Sequence, residues 1–273
     1  PSTSSAASDV YKRQAHQISM QLISNELNYQ KGVSIKIDKN KIDDFLETLP
    51  FTLTKSQTQC INEIASDMCK PLRMLRLLQG DVGSGKTIVA MISILAAIYN
   101  NKQAALMVPT EILANQHFES FLSLLPKFLK IDLLTGKTSK RDKEKIYKKI
   151  ENGDTDIIIG THALFQEKLN FKNLGFVAID EQHKFGVHQR LLLTSKNNNL
   201  LPDILLMTAT PIPRTLELTT YGSMSVSKIT EKPVGRQSIK TAAKPITKLE
   251  ETIISLKKTC LLYTSPSPRD SNL

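Results

Sequence analysis

The sequence predicts an α/β fold built on a parallel sheet with helices on both faces. Three observations predict it. From Thr54 onward, apolar runs of strand length alternate with amphipathic stretches of helix length. The run Gly80-Asp81-Val82-Gly83-Ser84-Gly85-Lys86-Thr87 sits between a strand pattern and a helix pattern and fits G-x-x-x-x-G-K-[ST]. Two further polar motifs each begin where a predicted strand stops, the edge at which ligands gather in an open parallel sheet.

The elements follow in order. Residues 15–27 carry Ile18, Leu22 and Ile23 at helical spacing and read as a helix. Residues 31–49 are charged and mixed, a connector with a helix near 42–46. Helices are predicted over 55–68, 88–99, 111–125 and 139–151, where the apolar pattern is longer than a strand needs. Strands are predicted over 74–79, 104–108, 131–134, 156–159, 176–179 and 204–207, each a short apolar run. Asn197-Asn198-Asn199 reads as an exposed loop, and no internal repeat is visible.

Composition narrows the function classes. The formal net charge is +10, which suits a polyanionic partner. No apolar run is long enough to cross a bilayer. The three cysteines, Cys60, Cys69 and Cys260, are neither paired nor at zinc-site spacing, so a reducing cytoplasm is expected.

Both ends read differently from the middle. Residues 1–14 are Ser/Ala-rich and 260–273 are Ser/Pro-rich, each without periodicity. Asp9 to Gln14 can be encoded as GAT GTG TAT AAG AGA CAG, and Cys260 to Ser265 as TGT CTC TTA TAC ACA TCT. These strings are reverse complements over nearly their whole length and resemble transposon-end adapters of sequencing libraries. Residues 1–14 and 260–273 are therefore expected to be translated adapter flanking an internal piece of a longer gene. Without them the net charge is still +9.

Three motifs carry chemistry. In the first, glycines let backbone N–H groups turn inward around phosphates, Lys86 brings a point charge to the outer phosphates, and the Thr87 hydroxyl can ligate Mg²⁺. The helix that follows offers its positive N-terminal end. In the second, the strand at 176–179 runs into Asp180-Glu181-Gln182-His183. Asp180 is placed to hold Mg²⁺ and Glu181 to orient the attacking water. His183 either relays the nucleotide state or packs under the loop. In the third, Leu205-Leu206-Met207 runs into Thr208-Ala209-Thr210-Pro211-Ile212-Pro213-Arg214-Thr215, a proline-stiffened segment expected to couple nucleotide to nucleic acid.

The phosphate loop, Asp-Glu-x-His and Thr-Ala-Thr together resemble the first, RecA-like motor domain of superfamily-two helicases, a P-loop NTPase fold. Within that superfamily the chain is similar to the RecG-type ATP-dependent DNA helicases. The resemblance rests on Leu49-Pro50-Phe51, Gly80 to Thr87, Pro109 to Ala114, Gly160 to Gln166, Asp180 to Arg190 and Thr208 to Thr215. The transcription-repair coupling translocases share some of these blocks and stay open as an alternative, as does a non-hydrolysing nucleotide-binding scaffold.

The resemblance implies ATP and Mg²⁺ as cofactors. It implies a monomer acting on branched duplex and single-stranded DNA in repair and recombination, in the bacterial cytoplasm near the nucleoid. It implies that Phe51, Thr54 and Gln57 read the adenine, and that Gln182, His183, Thr208, Ala209, Thr210 and Arg214 couple the sites. Thr110, Glu111, Gln116, Gly160, Thr161 and His162 are implied to touch the DNA backbone. The cluster Lys137, Lys140, Arg141, Lys143 and Lys145 fits DNA and a solvated helix face equally. The expected organisation is the end of a wedge domain with connector over 15–46, the ATP-binding domain over 47–228, and a linker with the start of a second motor domain over 229–259. A piece of this extent is expected to bind ATP–Mg²⁺ weakly and not to unwind DNA, because the family's second domain supplies arginine fingers across the cleft.

Overall fold

The computed structural model describes residues 31–165, 169–180, 201–210, 224–231 and 245–262. The chain divides into two compact units, Pro1–Val234 and Gly235–Leu273.

The first unit holds helices α1 (Lys39–Glu47), α2 (Lys55–Met68), α3 (Lys86–Tyr99), α4 (Glu111–Leu124) and α5 (Lys140–Asn152). Its strands are β1 (Leu75–Gly80), β2 (Gln103–Met107), β3 (Ile131–Leu134), β4 (Ile157–Gly160), β5 (Leu174–Ile179), β6 (Asp203–Thr208) and β7 (Ser225–Ile229). All pair in parallel, in the order β3-β4-β2-β5-β6-β1-β7. The fold class read from the sequence is the one observed, with β7 as an additional strand.

The order has a consequence for the site. The chain leaves β1, crosses to β2, builds the β4 and β3 side, and returns to lay β5 and β6 into the gap between β2 and β1. Segments about a hundred residues apart in sequence thereby end as neighbours. Parallel strands need crossovers of this kind, and α3, α4 and α5 provide them.

Side-chain alternation sends each strand into two cores. In β2, Ala104 and Leu106 pack into one cluster while Ala105 and Met107 pack into the other. The first cluster is covered by residues of α1, α2, α3 and α4, among them Phe45, Ile64, Leu95 and Phe121. The second is covered by Ile146 and Ile150 of α5 and by Leu164, Leu169 and Phe171. α3 is apolar around its whole circumference, and Ile88 to Ala97 are all buried, as a helix wedged into a core must be. α5 is the opposite case: only Ile146 and Ile150, one turn apart, are buried, and its basic residues face outward. Its ends are set by Ser139, whose hydroxyl accepts from the Asp142 N–H, and by Gly153 in the left-handed region at φ 82°.

Two differences from the sequence reading have simple causes. β7 was not anticipated because Ser-Val-Ser-Lys-Ile is half polar. As the outer strand beside β1 it buries only Ser227 and Ile229. Residues 260–262, read as shapeless, continue a helix.

The second unit contains a 3₁₀ turn (Ile246–Lys248) and α6 (Leu249–Leu262). Glu250 and Glu251 in the first turn of α6 complement its N-terminal dipole. The predictions for residues 15–27 and 197–199 fall outside the described residues.

Candidate functional site

The three motifs read from the sequence emerge at one edge of the sheet. β1, β6 and β5 are consecutive in the sheet and parallel, so their carboxyl ends lie together. Gln79 is level with Thr208, and Leu206 with Ile179. Gly80, which opens the phosphate loop, and Asp180 thus lie two strand spacings apart across the sheet, about 10 Å, and are staggered by two residues along it. Gln79 Nε2 donates to the Thr210 carbonyl (3.3 Å), joining the phosphate-loop strand to the Thr-Ala-Thr segment.

The loop is shaped by its glycines. Gly83 (φ 73°) and Gly85 (φ 87°) lie where a Cβ is disfavoured. Gly85 is the N-cap of α3, and its carbonyl accepts from the Ile88 and Val89 N–H groups. The Ser84 N–H donates back to Asp81 (3.1 Å), closing the loop into a concave turn. Asp81, Val82 and Gly83 are exposed at its rim, whereas Ser84 is buried. The Lys86 ammonium lies in this concavity and donates to the carbonyls of Gly80 (2.6 Å) and Asp81 (3.0 Å). Lys86 and Thr87 are the first two residues of α3, so the hydroxyl and the ammonium stand at its positive end.

The start of α2 braces this loop. Thr54 and Gln57 form a capping box. The Gln57 N–H donates to Thr54 Oγ1 (3.2 Å), and the Thr54 N–H donates to Gln57 Oε1 (2.8 Å). The remaining end of the same amide, Gln57 Nε2, donates to the Ser84 carbonyl (2.8 Å). Gln57 is buried and both ends of its amide are engaged, so it supports the phosphate loop. A Cβ on Gly85 would come within 2.2 Å of Gln57 Nε2. Phe51, three residues before the cap, is 41% exposed.

Asp180 follows directly on β5, and its N–H donates to the Met107 carbonyl (2.8 Å). Its carboxylate meets a residue that the sequence reading missed: His117 Nε2 lies 3.3 Å from Asp180 Oδ2, and both side chains are largely buried. The signal was present. His117 lies three residues after Ala114 and four before Phe121, the buried residues of α4, and a histidine on a buried stripe needs a polar partner.

The expected DNA-facing residues separate by environment. Thr110, Gln116 and His162 are exposed. Thr110 also caps α4, accepting from the Leu113 N–H (3.3 Å). Glu111 is bound to the neighbouring turn: its Oε1 accepts from the Lys137 N–H (3.0 Å), and its Oε2 pairs with Lys137 Nζ (3.2 Å). Gly160 and Thr161 are buried; a Cβ on Gly160 would sit 2.3 Å from the Leu134 carbonyl, so glycine there permits close strand packing. Thr208 and Thr210 share a hydroxyl–hydroxyl bond (2.9 Å), and the Thr210 N–H donates to Thr208 Oγ1 (3.2 Å). Ala209 sits half-buried between them. Glu181, Gln182, His183 and Arg214 lie outside the described residues.

The donor set suits a hard divalent cation bound together with phosphates. It pairs one carboxylate (Asp180) with one hydroxyl (Thr87), and no cluster of three or more His, Cys, Asp or Glu forms a protein-only cage among the described residues. No described helix is long and apolar enough to cross a membrane. A separate groove of about 700 Å³ runs along α2 past Leu53, Asn62, Asp67 and Arg76. It borders neither Lys86 nor Asp180, and the site is assigned by its chemistry.

Comparison with known proteins gives a consistent picture. The DEAD/DEAH box helicase family profile matches residues 54–219. The ATP-dependent DNA helicase RecG of Aquifex aeolicus is 46% identical over 226 residues, 82% of this chain and 28% of the relative. That of Bacillus subtilis is 48% identical over 217 residues, 79% of this chain and 32% of the relative. The chain therefore spans about a third of the length of these curated relatives. Among solved structures, RecG bound to a three-way DNA junction superposes with a TM-score of 0.81 at 40% identity, covering 91% of this chain and 33% of that one. The DEAD-box helicase Mss116 bound to single-stranded RNA and UDP-BeF matches at a TM-score of 0.62 and 19% identity over 82% of this chain and 51% of that one, a likeness of fold.

Proposed function

The chain belongs to the DEAD/DEAH box helicase family, and from that premise we propose that it is the first motor domain of a RecG-type ATP-dependent DNA helicase, which remodels branched DNA in repair and recombination. The observation that carries the proposal is the convergence of the phosphate loop, Asp180 and Thr208–Thr210 on the ends of three neighbouring strands. The junction-bound RecG likeness supports the choice of DNA, and of a branched form, as the partner.

The proposed roles follow from where each group stands. Backbone N–H groups of Gly80 to Thr87 and the α3 dipole hold the phosphates. Lys86 turns from the loop carbonyls to the outer phosphate oxygens, exchanging two neutral acceptors for an anionic one. Thr87 and Asp180 would hold Mg²⁺, and the ion would supply charge neutralisation to the bound phosphates. His117 fixes the rotamer of Asp180 through Oδ2. Glu181, next along the chain, orients the attacking water. Phe51 offers its exposed ring to the base, beside Thr54 and Gln57. The nucleotide state reaches DNA through Gln79 to Thr210, with Gln182, His183, Thr208, Ala209 and Arg214 completing the path. Thr110, Gln116 and His162 contact the DNA backbone from the exits of β2 and β4. Glu111, Gly160 and Thr161 shape that surface from beneath. The protein works as a monomer in the bacterial cytoplasm.

The test is Glu181→Gln against wild type in a DNA-stimulated ATP hydrolysis assay, with nucleotide binding measured in parallel. A loss of turnover of about a hundredfold or more, with binding retained, is expected, because water activation is lost while the phosphate grip remains. Equal turnover in the two proteins contradicts the proposal and favours a non-hydrolysing scaffold.

A further inference from the structure

We infer that Glu231 is a positioning residue of the nucleotide site, acting through the start of α2 on the phosphate loop. The inference rests on the reading of Gly80–Thr87 as that site and adds a control element to it.

β7 is the outer strand beside β1, and its last residue, Ile229, is level with Gly80, the first residue of the loop. A Cβ on Gly80 would come within 3.1 Å of Ile229 Cβ, so the two strand ends already touch. Two residues on, Glu231 reaches the N-terminus of α2. The Ser56 N–H donates to Glu231 Oε2 (3.1 Å), and the Glu231 N–H donates to Ser56 Oγ (3.3 Å). The pair is reciprocal, like a capping box, but its partners are 175 residues apart in sequence.

This bond supplies what the local cap leaves out. Thr54 and Gln57 satisfy the first and last of the free N–H groups at the start of α2. The Ser56 N–H between them has no local acceptor and takes the Glu231 carboxylate, which also meets the positive end of the helix. Ser56 and Gln57 are adjacent and both buried, and Gln57 Nε2 holds the Ser84 carbonyl inside the loop. The path from Glu231 to the phosphate cradle therefore consists of two sets of hydrogen bonds and one rigid helix turn.

The strand that leads to Glu231 is itself fastened to α2. Arg76 of β1 donates to Asp67 (3.0 Å from Nε), to Glu63 (3.2 Å) and to Ser227 of β7 (2.7 Å), and the Ser227 hydroxyl donates to Glu63. With Ser227 fixed, Glu231 is delivered to Ser56 at a set distance. A shift of the chain leaving β7 is thus felt at Ser84. By thermodynamic reciprocity, nucleotide in the loop tightens the Glu231–Ser56 pair.

The experiment measures Mg²⁺–ATP binding by calorimetry in the wild type, Glu231→Ala, Glu231→Gln, Gln57→Ala and the Glu231→Ala/Gln57→Ala double variant. Thermal unfolding of each, and amide exchange at Ser56 with and without nucleotide, are followed alongside. Glu231→Ala should weaken binding about fivefold, the scale of a lost helix cap. Glu231→Gln, which keeps an acceptor in place and guards against a folding defect, should lose less than about twofold. In the Gln57→Ala background, Glu231→Ala should change nothing further, and nucleotide should slow exchange at Ser56 in the wild type. Unchanged affinity in Glu231→Ala, or losses at Glu231 and Gln57 that multiply independently, overturns the inference. Absence of nucleotide binding in the wild type instead overturns the reading of the site on which it rests.

Discussion

Replacing Gly85 with alanine tests the packing between the phosphate loop and α2. At φ 87° an added Cβ costs roughly 1–2 kcal/mol from backbone sterics alone. The same Cβ would stand 2.2 Å from Gln57 Nε2, well inside contact distance, whereas its next neighbours, Gln57 Cδ at 3.3 Å and Ile88 Cγ2 at 3.4 Å, need little or no movement. The Gln57 amide must therefore swing away. That breaks its bond to the Ser84 carbonyl and strains its bond to the Thr54 N–H, at about 1 kcal/mol for each bond lost. The sum is on the order of 2–4 kcal/mol. In a Gln57→Ala background the clash disappears, so Gly85→Ala should then cost only the backbone part, roughly 1–2 kcal/mol. Urea unfolding of the four proteins in this cycle measures the difference. A coupling of about 1–2 kcal/mol is expected. Strictly additive costs would refute the contact between loop and helix that the argument relies on.

Two further outcomes follow from buried polar groups. Asp203 at the start of β6 is fully buried, and burial pushes its carboxyl up to about 8 despite the Met74 N–H donated to Oδ1 (2.7 Å) and nearby Arg73. The folded protein then keeps a proton that the unfolded chain releases near 3.8, so this contribution is intact below about pH 4 and is lost as pH rises through 8. Stability of the wild type measured against Asp203→Asn should fall between pH 4 and pH 8 by on the order of 5 kcal/mol; parallel pH curves would count against it. At the opposite edge of the sheet, His117→Ala removes the imidazole that meets Asp180 Oδ2. The Mg²⁺ concentration needed for half-maximal nucleotide binding should rise about tenfold with little change in thermal midpoint, and an unchanged requirement would remove His117 from the site.

Much of the fold could be read from the chain because the central strands advertise themselves. β5 and β6, buried on both faces, are apolar or nearly so throughout, and α3 is apolar on every side. Strand order could not be read in the same way. Nothing local to β5 and β6 says that they fill the space between β2 and β1; that choice is made by packing across the whole sheet. β7 escaped detection because an outer strand needs apolar residues on one face only. Asp203 was left out of its strand because aspartate is a poor strand former, and its place is explained by the Met74 N–H and Arg73, which are distant in sequence.

The candidate site divides along the same line. Gly80–Thr87, Asp180 and Thr208–Thr210 stand out in the chain because each motif joins particular residue types at fixed spacing, and the sheet brings them to one edge. The supports were not. Arg76 looks like an anomaly within an apolar strand until Asp67, Glu63 and Ser227 are brought around it. The hold of Gln57 on the Ser84 carbonyl is seen only when both ends of its amide are traced. Glu231 carries no sequence signal, since its partner Ser56 is found only after the sheet has closed.

The central claim is that one edge of the sheet grips a nucleoside triphosphate with magnesium through Lys86, Thr87 and Asp180. Calorimetric titration of ATP, with and without Mg²⁺, into the wild type, Lys86→Ala and Asp180→Ala tests it most directly. The account predicts Mg²⁺-dependent binding in the wild type and an affinity loss of at least about tenfold in each variant at an unchanged thermal midpoint, the scale of a lost charge-assisted contact. Equal affinity in all three proteins, or binding indifferent to Mg²⁺, would contradict it.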